Sequence, residues 1–94
     1  MSHIYEFTAE VEIFPQKGGW HYIQVPLEVS EPLEIYADRG LIAVTATVGT
    51  SIWETSLLPK GDQTHFLALP AKIRKANKIE VADQIKASFI LRTR

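Results

Sequence analysis

The sequence predicts a mostly-β protein, a barrel of about six short strands and two short helices closed by two related halves. Apolar segments alternate with turn residues at the spacing of about 8–12 residues that is typical of barrels and sandwiches. The segment 21–29 also returns as the segment 65–73, at an offset of 44 residues. A repeated unit of this size rarely buries its apolar face alone, so two copies predict one shared core with internal pseudo-two-fold symmetry.

The first two strands are predicted from alternation and from turn residues. Apolar residues occupy every second position from Tyr5 to Ile13, which is the period of a half-buried strand. Proline, lysine and glycine in residues 15–19 then interrupt this pattern and predict a turn. A second strand follows over residues 20–25 and ends at Pro26, because proline cannot donate to a β-ladder.

The middle of the chain is predicted to contain a helix and a hairpin. Ser30 is a candidate N-cap for a short helix that reaches about residue 37. The turn 38–40 leads into a strand over residues 41–48. A tight connection through residues 49–51 makes this strand the first arm of a hairpin whose second arm is residues 52–58.

The second half repeats the order of the first. A turn over residues 59–62 precedes a strand over residues 64–69, and a helix opens at Pro70 and extends to about residue 77. The last strand is predicted from about residue 85 to residue 93. Because no linker or low-complexity segment interrupts the pattern, residues 1–94 are predicted to form a single domain.

Composition excludes several kinds of chemistry. The chain has no cysteine, which excludes disulfides, thiolate metal sites and cysteine nucleophiles. The first residues do not combine a basic region with an apolar run, so no signal peptide is predicted. No apolar segment approaches the roughly 18 residues that a transmembrane helix needs. The expectation is therefore a soluble cytoplasmic protein that has no contact with a membrane.

Charge is divided unevenly between the halves. Residues 1–47 contain seven acidic and two basic residues, a net charge of −5, whereas residues 48–94 contain four acidic and eight basic residues, a net charge of +4. This polarity is consistent with a surface for a charged partner, and equally with a solvated face on each half.

Three segments carry a resemblance to a known family. Residues 17–22 (KGGWHY), 53–57 (WETSL) and 69–76 (LPAKIRKA) resemble, in this order, the bacterial family of domains of unknown function DUF1905. The resemblance covers nearly the whole chain. It implies a double-split β-barrel, a fold distantly similar to that of AbrB/MazE-like proteins, and it implies no established activity.

One position departs from the family pattern. The resemblance leads us to expect Gly-Asp before the last strand, where this chain has Ala82-Asp83. Glycine there would permit a positive φ, so alanine predicts a different turn.

His21 and His65 are weak candidates for a metal site. They occupy matching positions in the two repeats, so pseudo-symmetry could bring the two imidazoles together beside a carboxylate. Their spacing matches no compact ligand motif. The favoured interpretation is that each is an outward-facing polar residue at the start of a strand, and that the protein holds no metal and no other cofactor.

Four further residues could line a ligand or partner surface: Trp20, Trp53, Thr55 and Arg74. Trp53 and Thr55 share one face of a predicted strand, where a tryptophan beside a hydroxyl can line a pocket but more often belongs to the core. Arg74 could clamp an anion, contact a partner or form an ion pair with Asp38 or Asp83, and the ion pair is favoured. The glycines preceding Trp20 could let a ligand approach the backbone, although a turn is the better interpretation.

These observations favour a small binding module whose ligand, a small molecule or a protein, is unassigned. No residue pattern supplies a nucleophile with a base, so the protein is predicted not to be an enzyme. Two alternatives remain: AbrB-like DNA binding, suggested by fold analogy alone, and a metal-dependent enzyme using His21 and His65. The opposite charges of the two halves argue against nucleic acid as a partner.

Overall fold

A computed structural model describes residues 3–16 and 18–92 and places seven strands in one nearly closed barrel. The strands are β1 (Tyr5–Glu10), β2 (Glu12–Ile13), β3 (His21–Val25), β4 (Ile42–Val48), β5 (Ser51–Pro59), β6 (His65–Ala68) and β7 (Gln84–Leu91). Two short helices, α1 (Leu27–Ser30) and α2 (Ala71–Ala76), accompany them, and a 3-10 helix (Glu31–Tyr36) extends α1. The prediction of a mostly-β barrel with two short helices is confirmed.

The barrel is built from antiparallel ladders in the order β1-β7-β4-β5-β6-β3-β2. β1 and β2 are successive parts of one bent segment, so the sheet returns to the strand where it began. The bend lies at Val11, whose N–H donates to Asp83 O (2.8 Å) and whose carbonyl accepts from Ala82 N–H (2.9 Å). This bend divides the first predicted strand in two, which is why the structure has seven strands where about six were predicted.

The core fills the barrel interior with aliphatic and aromatic side chains. On β4, Ile42, Val44, Ala46 and Val48 are buried and alternate with partly exposed residues, as a strand with one interior face requires. Strands β3, β6 and β7 contribute the remaining interior face with the buried residues Ile23, Val25, Leu67, Ala87 and Phe89.

The first helix differs from its prediction. It begins at Leu27, directly after Pro26, and Ser30 makes no capping hydrogen bond because its side chain is fully buried inside the helical segment. Pro32 has no N–H to donate to the fourth residue before it, so the α-helical turn gives way to a 3-10 helix.

Ala82 adopts the backbone conformation expected of the family's glycine. Its φ is +79°, so the prediction of a different turn was wrong. The conformation is fixed on both sides, because Ala82 N–H donates to Val11 O (2.9 Å) and Asp83 N–H donates to Glu80 O (3.1 Å). The Asp83 carboxylate also accepts a hydrogen bond from Glu80 N–H (2.8 Å), which closes the turn a second time.

We expect Ala82→Gly to raise the free energy of unfolding by about 0.5–1 kcal/mol. The left-handed conformation is costly for alanine and not for glycine. Part of this gain is lost because glycine gives the unfolded chain more conformational entropy. Ala76→Gly, in helix α2, is the control and should lower stability by a similar amount. Urea unfolding of both variants measures the two effects. Equal destabilisation by the two substitutions would contradict a strained turn at Ala82.

Candidate functional site

A groove at one end of the β3–β6 ladder brings together residues from the two halves of the chain. Its volume is about 390 Å³, and it is lined by residues 18–21, residues 68–71 and Arg74. We call this cavity the Trp20 groove. Two residues predicted for a ligand surface, Trp20 and Arg74, therefore meet in one cavity, and His21 lies between them in the lining.

Arg74 is held in place by Leu69, in the segment between β6 and α2, and by His21 on β3. Its Nε donates to Leu69 O (3.0 Å), and its Nη1 lies 3.5 Å from His21 Nε2. The Leu69 N–H in turn donates to His21 O (2.9 Å), so backbone and side-chain contacts both tie the arginine to β3. A guanidinium fixed in this way presents its remaining donors in one orientation.

The charge of Arg74 lacks a carboxylate among the described residues. The ion pairs among residues 3–16 and 18–92 join Lys86 to Glu6 and Arg92 to Glu54. Of the two partners predicted for Arg74, Asp83 accepts a hydrogen bond from Glu80 N–H instead (2.8 Å). Asp38 bonds Leu41 beside Gly40, whose carbonyl faces His65 at the other end of the β3–β6 ladder, so the predicted ion pair is corrected. Arg92 differs from Arg74 in having a carboxylate partner. Its Nε and Nη2 donate to Val44 O and Thr55 O, and its Nη1 lies 3.8 Å from a carboxylate oxygen of Glu54.

His21 is held in its neutral form. Burial lowers the pKa of its imidazole below 6.5, and the neighbouring positive charge of Arg74 lowers it further. A neutral imidazole whose Nε2 faces a guanidinium donor accepts at that nitrogen, which places its proton on Nδ1. The groove thus holds one fixed positive charge beside an uncharged ring.

We expect an NMR titration of His21 to give a midpoint below 6.5, and Arg74→Gln to raise that midpoint without restoring the ordinary value, since burial is the larger cause. A lowered pKa favours the neutral form in the folded state, so this contribution to stability is present above pH 6.5 and is lost as the pH falls through the folded pKa. A midpoint at or above 6.5 in the unmodified protein would contradict the arrangement.

Trp20 is presented at the groove by a compact loop. Phe14 N–H donates to Trp20 O (3.1 Å), and the Phe14 ring stacks on Tyr22 with centroids 4.1 Å apart. Gly19 approaches Phe14 O so closely that a Cβ could not be accommodated there. The loop is anchored in this way on β3, and the Trp20 side chain stays 57% exposed at the groove.

The two candidate metal ligands, His21 and His65, lie far apart. Strands β3 and β6 are antiparallel with Val25 opposite His65, so the two histidines sit at opposite ends of the ladder. Four residues of strand separate them, a distance of about 13 Å. The histidine pair considered from the repeat is therefore not formed, because antiparallel pairing puts the starts of two strands at opposite ends.

His65 is also buried, which corrects the prediction that it faces outward. Its side chain is 2% exposed and its Nε2 lies 3.0 Å from Gly40 O. It shares the interior face with its cross-strand neighbour Val25. In the part of the chain that the structure describes, no group of three or more histidine, aspartate and glutamate residues could hold a metal ion.

Trp53 and Thr55 lie on β5, outside the Trp20 groove. They face Ala46 and Val44 across the β4–β5 ladder, and both of these partners are fully buried. Trp53 packs against the hydrophobic core. Its position agrees with the interpretation of Trp53 as a core residue, so the two tryptophans of the chain have different surroundings.

A second cavity was not foreseen from the sequence. It has a volume of about 490 Å³ and lies between the β4–β5 turn, the end of α2 and β7. Asn77 at its edge joins these elements: Oδ1 accepts from Thr50 N–H (3.1 Å), and Nδ2 donates to Ser51 Oγ and Ile73 O (both 2.9 Å). A single asparagine after a helix gives no sequence signal of such a role.

The fold and the groove define a small β-barrel domain in which both halves of the chain line a cavity that contains an arginine. The family model of the domain of unknown function (DUF1905) matches residues 7–88, which is most of the chain. The protein belongs to this family, as the resemblance of its three segments implied. A search of curated proteins found no match. Among the described residues, no helix has the length and apolar character needed to cross a membrane.

Proposed function

We propose that this domain is a binding module for a small molecule and that the Trp20 groove is its binding site. The observation that supports this most directly is the meeting of an exposed tryptophan and an arginine without a carboxylate in one cavity. Its volume of about 390 Å³ falls within the usual range of small-molecule sites, roughly 300–1,000 Å³.

We propose binding rather than catalysis because the groove lacks the parts of a reaction centre. Its lining residues, 18–21, 68–71 and Arg74, include no hydroxyl, thiol or carboxylate side chain. The imidazole of His21 has no nucleophile to activate within this lining, and its Nε2 already faces Arg74. Recognition of a ligand needs none of these missing groups.

An internal duplication, which we also propose, relates the end of the β3–β6 ladder that carries the groove to the opposite end of the same ladder. In the β3–β6 ladder, Tyr22 pairs with Ala68. The equivalent residues in the other copy, 44 positions away, are Phe66 and Gln24, and these two also pair with each other. The ladder therefore keeps the same register when each residue is replaced by its equivalent in the other copy. The residue of the first copy that is equivalent to Arg74 is Ser30, and it is fully buried. The two ends of the β3–β6 ladder have therefore diverged.

The proposed location is the bacterial cytoplasm. A chain without cysteine suits a reducing compartment, although it does not require one. The bacterial origin is proposed from the family resemblance of the sequence.

The test is a fragment screen by heteronuclear NMR on the full chain. We expect hits to shift the Trp20 indole N–H and the backbone amides of residues 68–71, and Trp20→Ala to weaken them. The control is Lys75→Gln, which removes a charge from an exposed position of the same helix and should leave binding unchanged. Hits confined to the cavity beside Asn77, or none anywhere, would overturn the proposal.

DNA binding is the alternative that we expect to fail. The exposed lysines Lys72 and Lys75 on α2 could contact phosphate, but the other end of the β3–β6 ladder carries α1 with exposed Glu28 and then Glu31. Phosphate contacts supply most non-specific affinity, and the acidic residues of α1 and the 3-10 helix would repel phosphate at that end of the barrel. A gel shift at about 150 mM salt should show no retained complex at micromolar protein. A salt-sensitive, sequence-selective complex lost in Arg74→Gln would reverse this conclusion.

A further inference from the structure

We infer that the ligand of the Trp20 groove joins a planar ring to an oxyanion, a carboxylate or a phosphate. This inference rests on the proposed function and assigns the chemical class of the ligand. It comes from two subsites within one cavity: Arg74 with His21 at one place, and the exposed face of Trp20 at the other.

The oxyanion subsite follows from the hydrogen bonds of Arg74. Nε–H donates to Leu69 O and one Nη1–H faces His21, so the second Nη1–H and both Nη2–H donors are left for a ligand. A partly buried guanidinium is stabilised by an anion, and the described residues provide no carboxylate within ion-pair distance. Carboxylates and phosphates, whose charged oxygens can accept two parallel N–H bonds, match the fork of a guanidinium better than any neutral group.

The lining itself carries no charge that would oppose an anion, since it includes no carboxylate side chain. The other charged residues of α2, Lys72 and Lys75, are both basic and exposed and lie outside the lining. The lowered pKa of His21 favours its neutral form, which does not repel the arginine, and with Nε2 facing the guanidinium the Nδ1–H remains as a donor.

The ring subsite follows from Trp20. Tryptophan is highly buried on average, yet this one is 57% exposed while its backbone is anchored by Phe14. An indole face held at a cavity is a stacking surface for another planar ring. The other lining segment, residues 68–71, carries alanine and proline side chains beside the core residue Leu69, and it offers an apolar ring no polar side-chain contact.

Four probes separate the two subsites. They are 2-naphthoate and 2-naphthyl phosphate, which have both features; 2-naphthylmethanol, which keeps the ring without the charge; and cyclohexanecarboxylate, which keeps the charge without a planar ring. Dissociation constants are measured by NMR titration. The Trp20 indole N–H is the reporter, and the Trp53 indole N–H, which lies outside the groove, is the internal reference.

We expect at least one of the two complete probes to bind tenfold or more tightly than both partial probes. The ratio of their dissociation constants assigns carboxylate or phosphate as the preferred anion. In Arg74→Gln the complete probe should no longer bind more tightly than 2-naphthylmethanol, the probe without charge. In Trp20→Ala it should no longer bind more tightly than cyclohexanecarboxylate, the probe without a planar ring. Lys75→Gln should retain both advantages, since it changes charge outside the lining.

If Arg74→Gln does not fold, Arg74→Lys keeps the charge and removes the fork, and it should weaken the complete probe by several-fold. Equal binding of the neutral and anionic ring probes at the groove would overturn the inference and leave the proposed binding site standing. Failure of all four probes to bind, with neutral fragments found in the groove by the screen, would also overturn it. Failure of every probe and fragment to reach the groove would overturn the proposed function itself.

Discussion

Trp53→Ala is expected to lower the free energy of unfolding by about 3–5 kcal/mol, the usual cost of removing a large aromatic side chain from a core. Trp53 faces the barrel interior opposite Ala46 and packs, partly buried, against the core, so its removal leaves a cavity beside the buried residues. Denaturant unfolding measures the change as a shift of the midpoint at constant slope.

Trp20→Ala is the matched control for this experiment. The same side chain is removed from a site that is 57% exposed, so stability should change by less than about 1 kcal/mol. If Trp53→Ala instead keeps the melting temperature of the unmodified protein, the assignment of Trp53 to the core is wrong.

Gly49→Ala is expected to lower the free energy of unfolding by about 2–3 kcal/mol, for two reasons. Gly49 has a φ of +58°, a conformation that costs an L-residue about 1–2 kcal/mol. A Cβ would also collide with Oδ1 of Asn77. That side chain cannot move away freely, because it bonds Thr50, Ser51 and Ile73 and would lose those hydrogen bonds, at about 1 kcal/mol each.

Two further variants separate these causes. Gly61 has a φ of +93° and nothing within 4 Å of its would-be Cβ, so Gly61→Ala should cost only the conformational part. In an Asn77→Ala background, Gly49→Ala should also cost no more than that part, since the collision is gone. Additive effects of Gly49→Ala and Asn77→Ala would show that the two residues do not interact.

The fold was largely predictable because strands carry a short-range signal. The alternation of Ile42, Val44, Ala46 and Val48 defines a buried face without reference to the rest of the chain. The start of helix α1 was missed because the local signal of Ser30 as a cap was overridden by Pro26, after which the helix begins. Helix propensity indicates that a helical turn forms in this segment, but the neighbouring prolines decide at which residues the turn begins and ends.

The candidate site was only half predictable. Trp20 and Arg74 were singled out individually, yet no sequence rule tells which tryptophan meets Arg74, because strand register decides it. The β3–β6 ladder brings the start of one repeat beside the end of a strand in the other, so residues 54 positions apart line one groove. The same register separates His21 from His65, which the repeat alone placed in equivalent positions.

The bent first strand has a consequence for how the protein folds as it is made. Tyr5 on β1 pairs with Phe89 on β7, a separation of 84 residues, so β1 has no β7 partner until residue 89 has been synthesised. Contacts of such long range form slowly because a large loop must close first. We therefore expect the pairing of β1 with β7 to be a late step in folding, after the β4–β5 hairpin has formed.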